Sequence, residues 1–389
     1  MKTVFHYGLI ALVMVLFFGC GNEEDPTPPI PHVEKTVFMF FPWTASETSS
    51  QGNLYSYIRR NITDTEKAIQ EQNGLGTTRL FVSLAQKYGE SKLFEIVYSS
   101  GKCEEIEKKT YQTSNISLAE QLAQQLEDVH ELSPTGITSM IVGAHGTGWL
   151  PKDYTPSPRK AFGGVSEGTR ANIQELVDVI SHSTIKHLEF LCFDDCYMAN
   201  IETAYNLRQV TDYYLASTSE VIDIGLPYYS VWKYLAQHTD YTAVCREFLT
   251  FYNQYKYPYG TFSAIYCPKT EKLAELMLQV NQESVLSPEN YEKIQVLDGI
   301  TPTVFFDFYD YVEKLNPSAQ RLKEIRECLD EVVVAKANTK YIYTVLIDKG
   351  STIPVNTFSG ITISDPTRHT ALTEALHQTE WWKATHLED

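Results

Sequence analysis

The fold of this chain is constrained most by a repeated alternation of short apolar segments with segments of helical periodicity. Strand-like apolar runs occur at residues 36–43, 138–144, 186–193 and 213–217, and helical patterns occur at 54–72, 117–129, 171–181 and 199–210. Residues 79–85 and 92–98 predict a further pair of strands that turns at 88–90. Apolar strands joined by helices form parallel sheets that are covered on both faces. The sequence therefore predicts an α/β fold, an αβα sandwich with a mostly parallel central sheet.

The pattern becomes less regular after about residue 230. Helices are predicted at 231–252, 269–280 and 322–337, and strands at 261–266, 341–347 and 360–364. Aromatic residues are dense at 252–259 and 305–309, where core packing is favoured over a platform that stacks on a ligand. We expect residues 236–389 to form an α+β extension that continues the sheet and braces a core at 35–235.

The N-terminus has the pattern of an export signal. Lys2 precedes an apolar stretch at residues 7–18, which is too short to span a bilayer. Residues 16–20 (LFFGC) resemble a bacterial lipobox, in which Cys20 would be lipidated and become the mature N-terminus. An ordinary secretory signal with an incidental cysteine is the alternative. We predict a signal peptide at 1–19.

The stretch that follows Cys20 is acidic and then rich in proline, which is typical of an extended tether that cannot pack. Its acidic cluster resembles the signal that directs lipoproteins of Bacteroidetes to the outer face of the outer membrane. We therefore predict a lipidated tether at 20–34 and a protein exposed at the cell surface.

The charge balance excludes one large class of partners. The chain has 49 acidic and 32 basic residues, a net charge of −17, and it has no run rich in lysine or arginine. A surface of this kind does not neutralise phosphates, so nucleic acid is not expected as a partner. Six cysteines remain besides Cys20, and they lie mostly in apolar runs of a large chain, so a small disulfide-stapled fold is excluded as well.

Two of the predicted strands end in residues that can perform nucleophilic chemistry together. His145 follows one strand and is itself followed by Gly146 and Gly148, and Cys196 follows another. Active sites of parallel sheets lie beyond the carboxyl ends of the strands, so both side chains should lie at one edge. A nearby histidine and a helix N-terminus favour the nucleophilic thiolate, and a helix is predicted to begin near residue 199. His145 precedes Cys196 by 51 residues, close to the spacing in caspases.

Each of these residues alone has a simpler interpretation. A single histidine is often structural, and a single cysteine is often a small core residue, as Cys192 is expected to be in its apolar segment. The order, the spacing and the glycine neighbours favour a catalytic pair. A zinc site formed by Cys192, Cys196 and His145 is a weaker alternative, because two of these residues lie at one strand end and no fourth ligand stands out.

The segments around the pair resemble the clostripain family of cysteine peptidases. Residues 194–202 (DDCYMANIE) are similar to its D-x-C-x-M-x-x-x-E segment, and residues 144–149 (AHGTGW) are similar to its His-Gly-x-Gly-Trp segment. Supporting matches are residues 215–220 (LASTSE), 225–228 (GLPY) and 358–363 (FSGITI). The resemblance covers most of the chain.

This resemblance implies a caspase-like fold and an endopeptidase that cleaves after Arg or Lys. Cys196 would attack the carbonyl carbon, His145 would carry the proton, and the amides of Gly146 and Cys196 would form the oxyanion hole. Asp194 matches the family acid at the base of the pocket for the basic side chain (S1). A carboxylate there would pair with the substrate cation through a charge-assisted hydrogen bond.

Two further acidic residues lie near this set in the sequence. Asp223, beyond the next strand, is a second candidate contact for the basic side chain, with a solvated loop acid as the alternative. Asp195 is expected to face away from Asp194, because adjacent residues of a strand point to opposite faces.

Residues 151–169 form a loop rich in proline and glycine that contains Lys152, Arg159 and Lys160. Such loops are exposed and are favoured sites of proteolytic nicking. Members of the clostripain family are processed between the histidine and the cysteine, which implies an activating self-cleavage after Arg159 or Lys160, with Lys152 as a third candidate. The alternative is a solvated basic loop.

Two other functions remain open at this stage. The chain could be a surface lipoprotein that binds peptides or glycans without catalysis, although such a protein would not need both His145 and Cys196. A peptidase that cleaves after Asp is opposed by the charge of Asp194. No cofactor is expected, a need for calcium is not supported by any EF-hand-like loop, and we expect a monomer that acts on peptides with Arg or Lys.

Overall fold

The structure is a computed structural model that describes residues 32–42, 54–154, 170–346, 351–365 and 369–387. From Val33 onwards the chain forms one compact unit. The predicted signal peptide and most of the predicted tether lie outside the described residues. No helix in the described part of the chain combines the length and the apolar character that crossing a bilayer requires.

The strands of the described residues are β1 (Lys35–Phe41), β2 (Thr78–Lys87), β3 (Glu90–Ser99), β4 (Lys102–Gln112), β5 (Thr138–Val142), β6 (Leu188–Phe193), β7 (Thr211–Ala216), β8 (Thr261–Tyr266), β9 (Phe306–Asp307), β10 (Val333–Asn338), β11 (Tyr341–Thr344), β12 (Ser351–Pro354) and β13 (Thr362–Ile363). The helices are α1 (Tyr55–Glu71), α2 (Leu118–Leu132), α3 (Ile173–His182), α4 (Ile201–Leu207), α5 (Tyr228–Leu235), α6 (Tyr241–Gln254), α7 (Thr270–Glu283), α8 (Pro288–Tyr291), α9 (Phe308–Leu315), α10 (Ala319–Val332), α11 (Thr370–His377) and α12 (Glu380–Thr385).

Nine strands form the central sheet, in the order β10-β8-β7-β6-β5-β1-β2-β3-β4. The five strands from β7 to β2 are parallel to one another. The strands β3, β4, β8 and β10 are added at the two sides through antiparallel pairs. The predicted αβα fold with a mostly parallel sheet is confirmed, as is the expectation that the C-terminal half continues the sheet.

Both faces of the sheet are buried, which explains the unbroken apolar runs of its strands. In β1, Phe38 and Phe40 pack into the core that contains α2, α3 and α4, whereas Val37 and Met39 pack into the core beneath α1, α5 and α6. This alternation is the two-residue period of a strand. The helical layers on the two faces hold the strand ends in fixed positions.

Local sequence signals account for several helix starts. The side chain of Ser117 accepts a hydrogen bond from the amide of Glu120, and the carboxylate of Glu120 accepts one from the amide of Ser117, so the predicted capping box is present. The predicted helix at 231–252 is wrong, because it is two helices, α5 and α6. The side chain of Asp240 caps the second one by accepting a hydrogen bond from the amide of Ala243.

Two other differences come from the edges of the sheet. The predicted helix at 322–337 ends at Val332, and the rest becomes the strand β10, because pairing with β8 completes the sheet. The strand β4 was not predicted. Its sequence (KCEEIEKKTYQ) is almost entirely exposed on the outermost strand, so it lacks the alternation that marks a half-buried strand.

Candidate active site

The site lies where the parallel strands β5 and β6 end. The last residue pair in their ladder is Val142 opposite Phe193, and the amide of Asp194 then donates to the carbonyl of Val142 at 2.8 Å. His145 and Cys196 each follow three residues beyond this last pair. The two residues therefore lie at one edge of the sheet, as the sequence predicted.

At this edge a cleft of about 600 Å³ opens, and four of the predicted site residues line it. His145, Cys196, Asp194 and Asp223 line the cleft directly. Gly146 lies behind His145, against the backbone of Cys196. The structure thus brings together the residues that were predicted from three separate segments of the chain.

The thiol of Cys196 is nearly buried, with 8% of the residue exposed, and it lies against the peptide of Val221. The amide of Val221 donates to Sγ at 3.3 Å, and the carbonyl of Val221 is 3.7 Å from Sγ. The peptide of Val221 therefore contacts the sulfur through both its N–H and its C=O group and holds it in position. Val221 was not identified from the sequence, because backbone groups act here and no residue type signals them.

The helix after Cys196 begins later than predicted. Asn200 caps α4 by accepting a hydrogen bond from the amide of Thr203 at 2.8 Å, so the helix starts at Ile201 and not near residue 199. The field of a helix terminus falls off within one turn. The predicted contribution of a helix N-terminus at Cys196 is therefore wrong, and Val221 supplies an N–H group in its place.

The glycine after His145 is required by contact with the cysteine segment. A Cβ atom at Gly146 would lie 2.8 Å from the amide nitrogen of Cys196 and from Cβ of Asp195, and it would overlap the carbonyl of Cys196. The amides of Gly146 and Cys196 therefore belong to backbone segments in direct contact.

Asp195 connects the two segments through its side chain. Its Oδ1 accepts a hydrogen bond from the amide of Ala144 at 2.5 Å, one residue before His145. This bond continues the ladder between β5 and β6 past the last backbone pair. Asp195 is 1% exposed, its Oδ2 has no hydrogen-bond partner among the described residues, and burial raises the pKa of the carboxyl well above its usual range. The side chain of Asp195 thus clamps the histidine segment to the cysteine segment.

Asp194 lines the same cleft as Asp195, but its side chain has different partners. The amide of Leu226 donates to its Oδ1 at 2.9 Å, and the hydroxyl of Tyr228 donates to its Oδ2 at 3.1 Å. Burial raises the pKa of Asp194 to about 6, although these two hydrogen bonds act in the opposite direction. The carboxyl is therefore mostly ionised at neutral pH and can pair with a cation that enters the cleft.

Gly225 makes room for this carboxyl. Its φ of 67° lies in the region that favours glycine, and a Cβ atom there would lie 2.8 Å from Oδ1 of Asp194 and still closer to Oδ2. In the sequence, Gly225, Leu226 and Tyr228 were identified only through a supporting motif match. Their role as the support of Asp194 follows from the fold alone.

Asp223 is exposed at the rim of the cleft. The hydroxyl of Tyr57, on α1, donates a hydrogen bond to its carboxylate, and this bond raises the pKa of Tyr57. A second negative group thus faces the cleft close to Asp194.

The other predicted residues fall into two groups. Cys192 is fully buried in the core, and burial raises the pKa of its thiol well above the usual range. Lys152 forms an ion pair with Glu175, with Nζ 2.7 Å from Oε1. Cys20, Arg159 and Lys160 lie outside the described residues. Among the described residues, no group of three or more His, Cys, Asp or Glu side chains is arranged to hold a metal ion.

The tyrosines at 255–259 were expected to pack in a core, and this expectation is partly wrong. Tyr252, on α6, is buried in the core, and Tyr255 packs against the same core. Tyr255 also lines the cleft, together with Tyr257, Tyr259 and Tyr343. Aromatic density alone did not distinguish a core from a cleft wall, because both remove ring surface from water.

Comparison of the chain with known protein families identifies one match. The family model described as the clostripain family, Peptidase C11, matches residues 43–368. No curated protein matches the chain. The crystal structure of a secreted C11 cysteine protease from Bacteroides thetaiotaomicron, called iotapain, is 36% identical with a TM-score of 0.83, and the match covers 92% of this chain and 100% of that one.

Two further crystal structures are similar. An inactive zymogen C11 protease from Parabacteroides distasonis is 25% identical with a TM-score of 0.79, over 92% of this chain and 100% of that one. A clostripain from Bacteroides thetaiotaomicron ATCC 29148, in complex with the peptide inhibitor BTN-VLTK-AOMK, is 40% identical with a TM-score of 0.56, over 58% of this chain and 100% of that one.

The clamp by Asp195 is tested by substitution. Asp195→Ala removes the bond to the amide of Ala144, and we expect kcat to fall about 10- to 100-fold with little change in KM, because small misplacements of reacting groups have effects of this size. Asp195→Asn keeps a neutral acceptor of the same shape and should retain most of kcat. An equal loss of kcat in both variants would contradict the clamp. A thermal unfolding midpoint that falls in proportion to the lost activity would contradict it as well.

Proposed function

This chain belongs to the clostripain family of cysteine peptidases, and on that premise we propose that it is an endopeptidase that cleaves after Arg or Lys with Cys196 and His145 as its catalytic dyad. The observation that carries the proposal is the single cleft that Cys196, His145 and the buried Asp194 share. Family membership favours catalysis over the alternative of a surface protein that only binds peptides or glycans.

The proposed reaction has two stages. His145 accepts the proton of the Cys196 thiol, and Sγ attacks the carbonyl carbon of the substrate to form a C–S bond, with the negative oxygen held by the amides of Gly146 and Cys196. Collapse of this intermediate breaks the C–N bond, and the departing amine takes the proton from His145. Water, deprotonated by His145, then attacks the thioester and releases the acid and the thiol. The reaction as proposed uses no cofactor.

The proposed preference for Arg or Lys depends on the charge inside the cleft. Asp194 is held by Leu226 and Tyr228 and faces the cleft, and the carboxylate of Asp223 lies at its rim. A buried carboxylate strongly favours a cationic side chain over a neutral or acidic one. The inhibitor bound to the clostripain from Bacteroides thetaiotaomicron has a peptide part, VLTK, that ends in lysine, which is consistent with a basic residue at this position.

We also propose that the chain is a zymogen activated by cleavage at residues 151–169. The similar protease from Parabacteroides distasonis is described as an inactive zymogen. Lys152 is the weakest of the three candidate sites, because its side chain pairs with Glu175 and its amide donates to the side chain of Asn172 at 2.7 Å. Arg159 and Lys160 are the favoured positions.

A lipid anchor at Cys20, which would hold the enzyme at the outer membrane surface, is a further part of the proposal and rests on the sequence pattern. Mass spectrometry of the mature N-terminal peptide from a Bacteroides expression host tests it. An acylated Cys20 is expected, and an unmodified N-terminus at another residue would contradict it.

The proposed activity is tested with fluorogenic peptides that differ only in the residue before the cleaved bond. We expect turnover of peptides ending in Arg or Lys, no measurable turnover of the peptide ending in Asp, and no activity in Cys196→Ala. His145→Ala should be equally inactive. If the wild type cleaves none of these peptides after limited trypsin treatment, the proposal is wrong.

The role of Asp194 predicts a specific pH dependence. Its pKa of about 6 means that the carboxyl becomes protonated and neutral as the pH falls below 6 and ionised as the pH rises above it. The ratio of kcat/KM for an Arg peptide to that for the matched citrulline peptide should therefore fall below pH 6. Titration of Cys196 and His145 changes kcat/KM for both peptides by the same factor, so it cancels in this ratio.

Asp194→Asn serves as the matched control for this measurement. It should lower kcat/KM for the Arg peptide about 10- to 100-fold, the effect of losing a hydrogen bond between charged groups, and the ratio should no longer depend on pH. A ratio that falls below pH 6 in the variant as it does in the wild type would assign the dependence to another group.

Activation is tested by incubating the purified chain and sequencing new N-termini. Cleavage after Arg159 or Lys160 is expected, and it should be absent in Cys196→Ala if the chain cleaves itself. The double variant Arg159→Gln/Lys160→Gln should remain a single chain with low activity. Full activity in an uncleaved chain would refute the zymogen.

A further inference from the structure

Four tyrosines form one wall of the cleft that contains Cys196. We call Tyr255, Tyr257, Tyr259 and Tyr343 the tyrosine wall. The rings of Tyr259 and Tyr343 stack with their centroids 6.2 Å apart at an angle of 12°, and the rings of Tyr255 and Tyr257 meet edge to face at 6.1 Å. Tyr257 is 47% exposed. These rings support one another and leave aromatic surface facing the cleft.

The topology of the sheet fixes the side of Cys196 on which this wall lies. In the sheet order, β5 lies on one side of β6, and β7 and β8 lie on the other. The strand β8 is antiparallel to β7, with Ser263 opposite Ala216, so the residues that precede β8 lie at the same edge as the carboxyl ends of β6 and β7. Residues 255–259 are those residues. The wall therefore lies on the β7–β8 side of Cys196, and His145 lies on the β5 side.

This arrangement determines which half of a substrate faces the wall, an inference that rests on the proposed function. His145 must reach the departing amine to protonate it, so the half of the peptide that leaves first lies on the β5 side. The acyl half, which contains the residues before the cleaved bond, lies on the β7–β8 side. The residue directly before the bond enters the cleft towards Asp194, and the residues that precede it extend along the wall.

The chemistry of the wall favours aromatic side chains over charged ones. Tyrosine rings bind other rings by edge-to-face or offset stacking, and Val345 adds an apolar group to the same surface. The nearby carboxylate of Glu220 is engaged by the protein itself: its Oε1 accepts hydrogen bonds from the hydroxyls of Tyr197 and Thr344 and from the amide of Val345. Glu220 therefore shapes the wall and is not a contact for a second basic residue.

We propose that the tyrosine wall is a binding subsite for an aromatic side chain at the second or third residue before the cleaved bond, so that the enzyme selects an aromatic residue followed closely by Arg or Lys.

The test compares three acetylated fluorogenic tripeptides, Gly-Gly-Arg, Gly-Phe-Arg and Phe-Gly-Arg, with the same leaving group. We expect kcat/KM to be about five- to tenfold higher for at least one phenylalanine peptide than for Gly-Gly-Arg, which is the size of a good aromatic contact. Tyr257→Ala should reduce this preference to about twofold or less, and Tyr257→Phe, which keeps the ring, should retain it. In every variant the preference is the ratio of kcat/KM for a phenylalanine peptide to kcat/KM for Gly-Gly-Arg, so a general change in activity cancels.

Tyr88→Ala is the matched control, because Tyr88 is an exposed tyrosine, at 39%, in the turn between β2 and β3 and does not line the cleft. It should leave the preference intact. Equal kcat/KM for all three peptides, or a preference that survives Tyr257→Ala as it survives Tyr88→Ala, would overturn the subsite while the peptidase activity stands.

Binding to Cys196→Ala separates the subsite from catalysis. Fluorescence anisotropy of dye-labelled forms of the three peptides should give the same five- to tenfold preference in affinity, lost in the double variant with Tyr257→Ala. If no peptide is cleaved but this preference in binding is found, the proposed function fails and the subsite stands. Equal affinities would overturn the subsite whatever the outcome of the cleavage assay.

Discussion

The parallel pairing of β5 with β6 is the constraint on which the site depends. The ladder ends with Val142 opposite Phe193, and His145 and Cys196 follow at equal distances beyond it. A shift of this pairing by one residue would displace the two side chains by about 3.3 Å and turn each strand residue to the opposite face of the sheet. Both faces of β5 and β6 are buried in separate cores, so the register is strongly specified.

The residues directly beyond the ladder fix the positions of the side chains at the site. Asp195 turns towards β5 and holds the amide of Ala144, whereas Asp194 turns towards the segment after β7 and is held by Leu226 and Tyr228. The two adjacent carboxyls thus bind groups from two different segments of the chain. Burial raises the pKa of both carboxyls, to about 6 for Asp194 and well above the usual range for Asp195, which is the more enclosed of the two.

The C-terminal part of the chain contacts the segments that form the site. After β13, the hydroxyl of Ser364 accepts a hydrogen bond from the indole of Trp149 at 2.8 Å. The amide of Ser364 donates to the carboxyl of Glu202 at 2.9 Å. The amide of Thr362 donates to the carbonyl of Ala199. One short segment therefore fastens the histidine segment and the cysteine segment together, which explains why matches to the clostripain family occur in all three.

The alternation of strands and helices and the positions of His145 and Cys196 at strand ends can be predicted from the sequence alone, and the resemblance to the clostripain motifs points to Asp194 as one of the acidic residues of the cleft. These follow from local periodicity and from motifs, which need no knowledge of distant contacts. Three further features follow from the folded arrangement: the amide of Val221 contacts the thiol, Asp195 clamps Ala144, and Tyr255, Tyr257 and Tyr259 line the cleft. Each of these depends on a contact between segments far apart in the chain, often through backbone groups that every residue carries, and composition cannot specify which of them will meet.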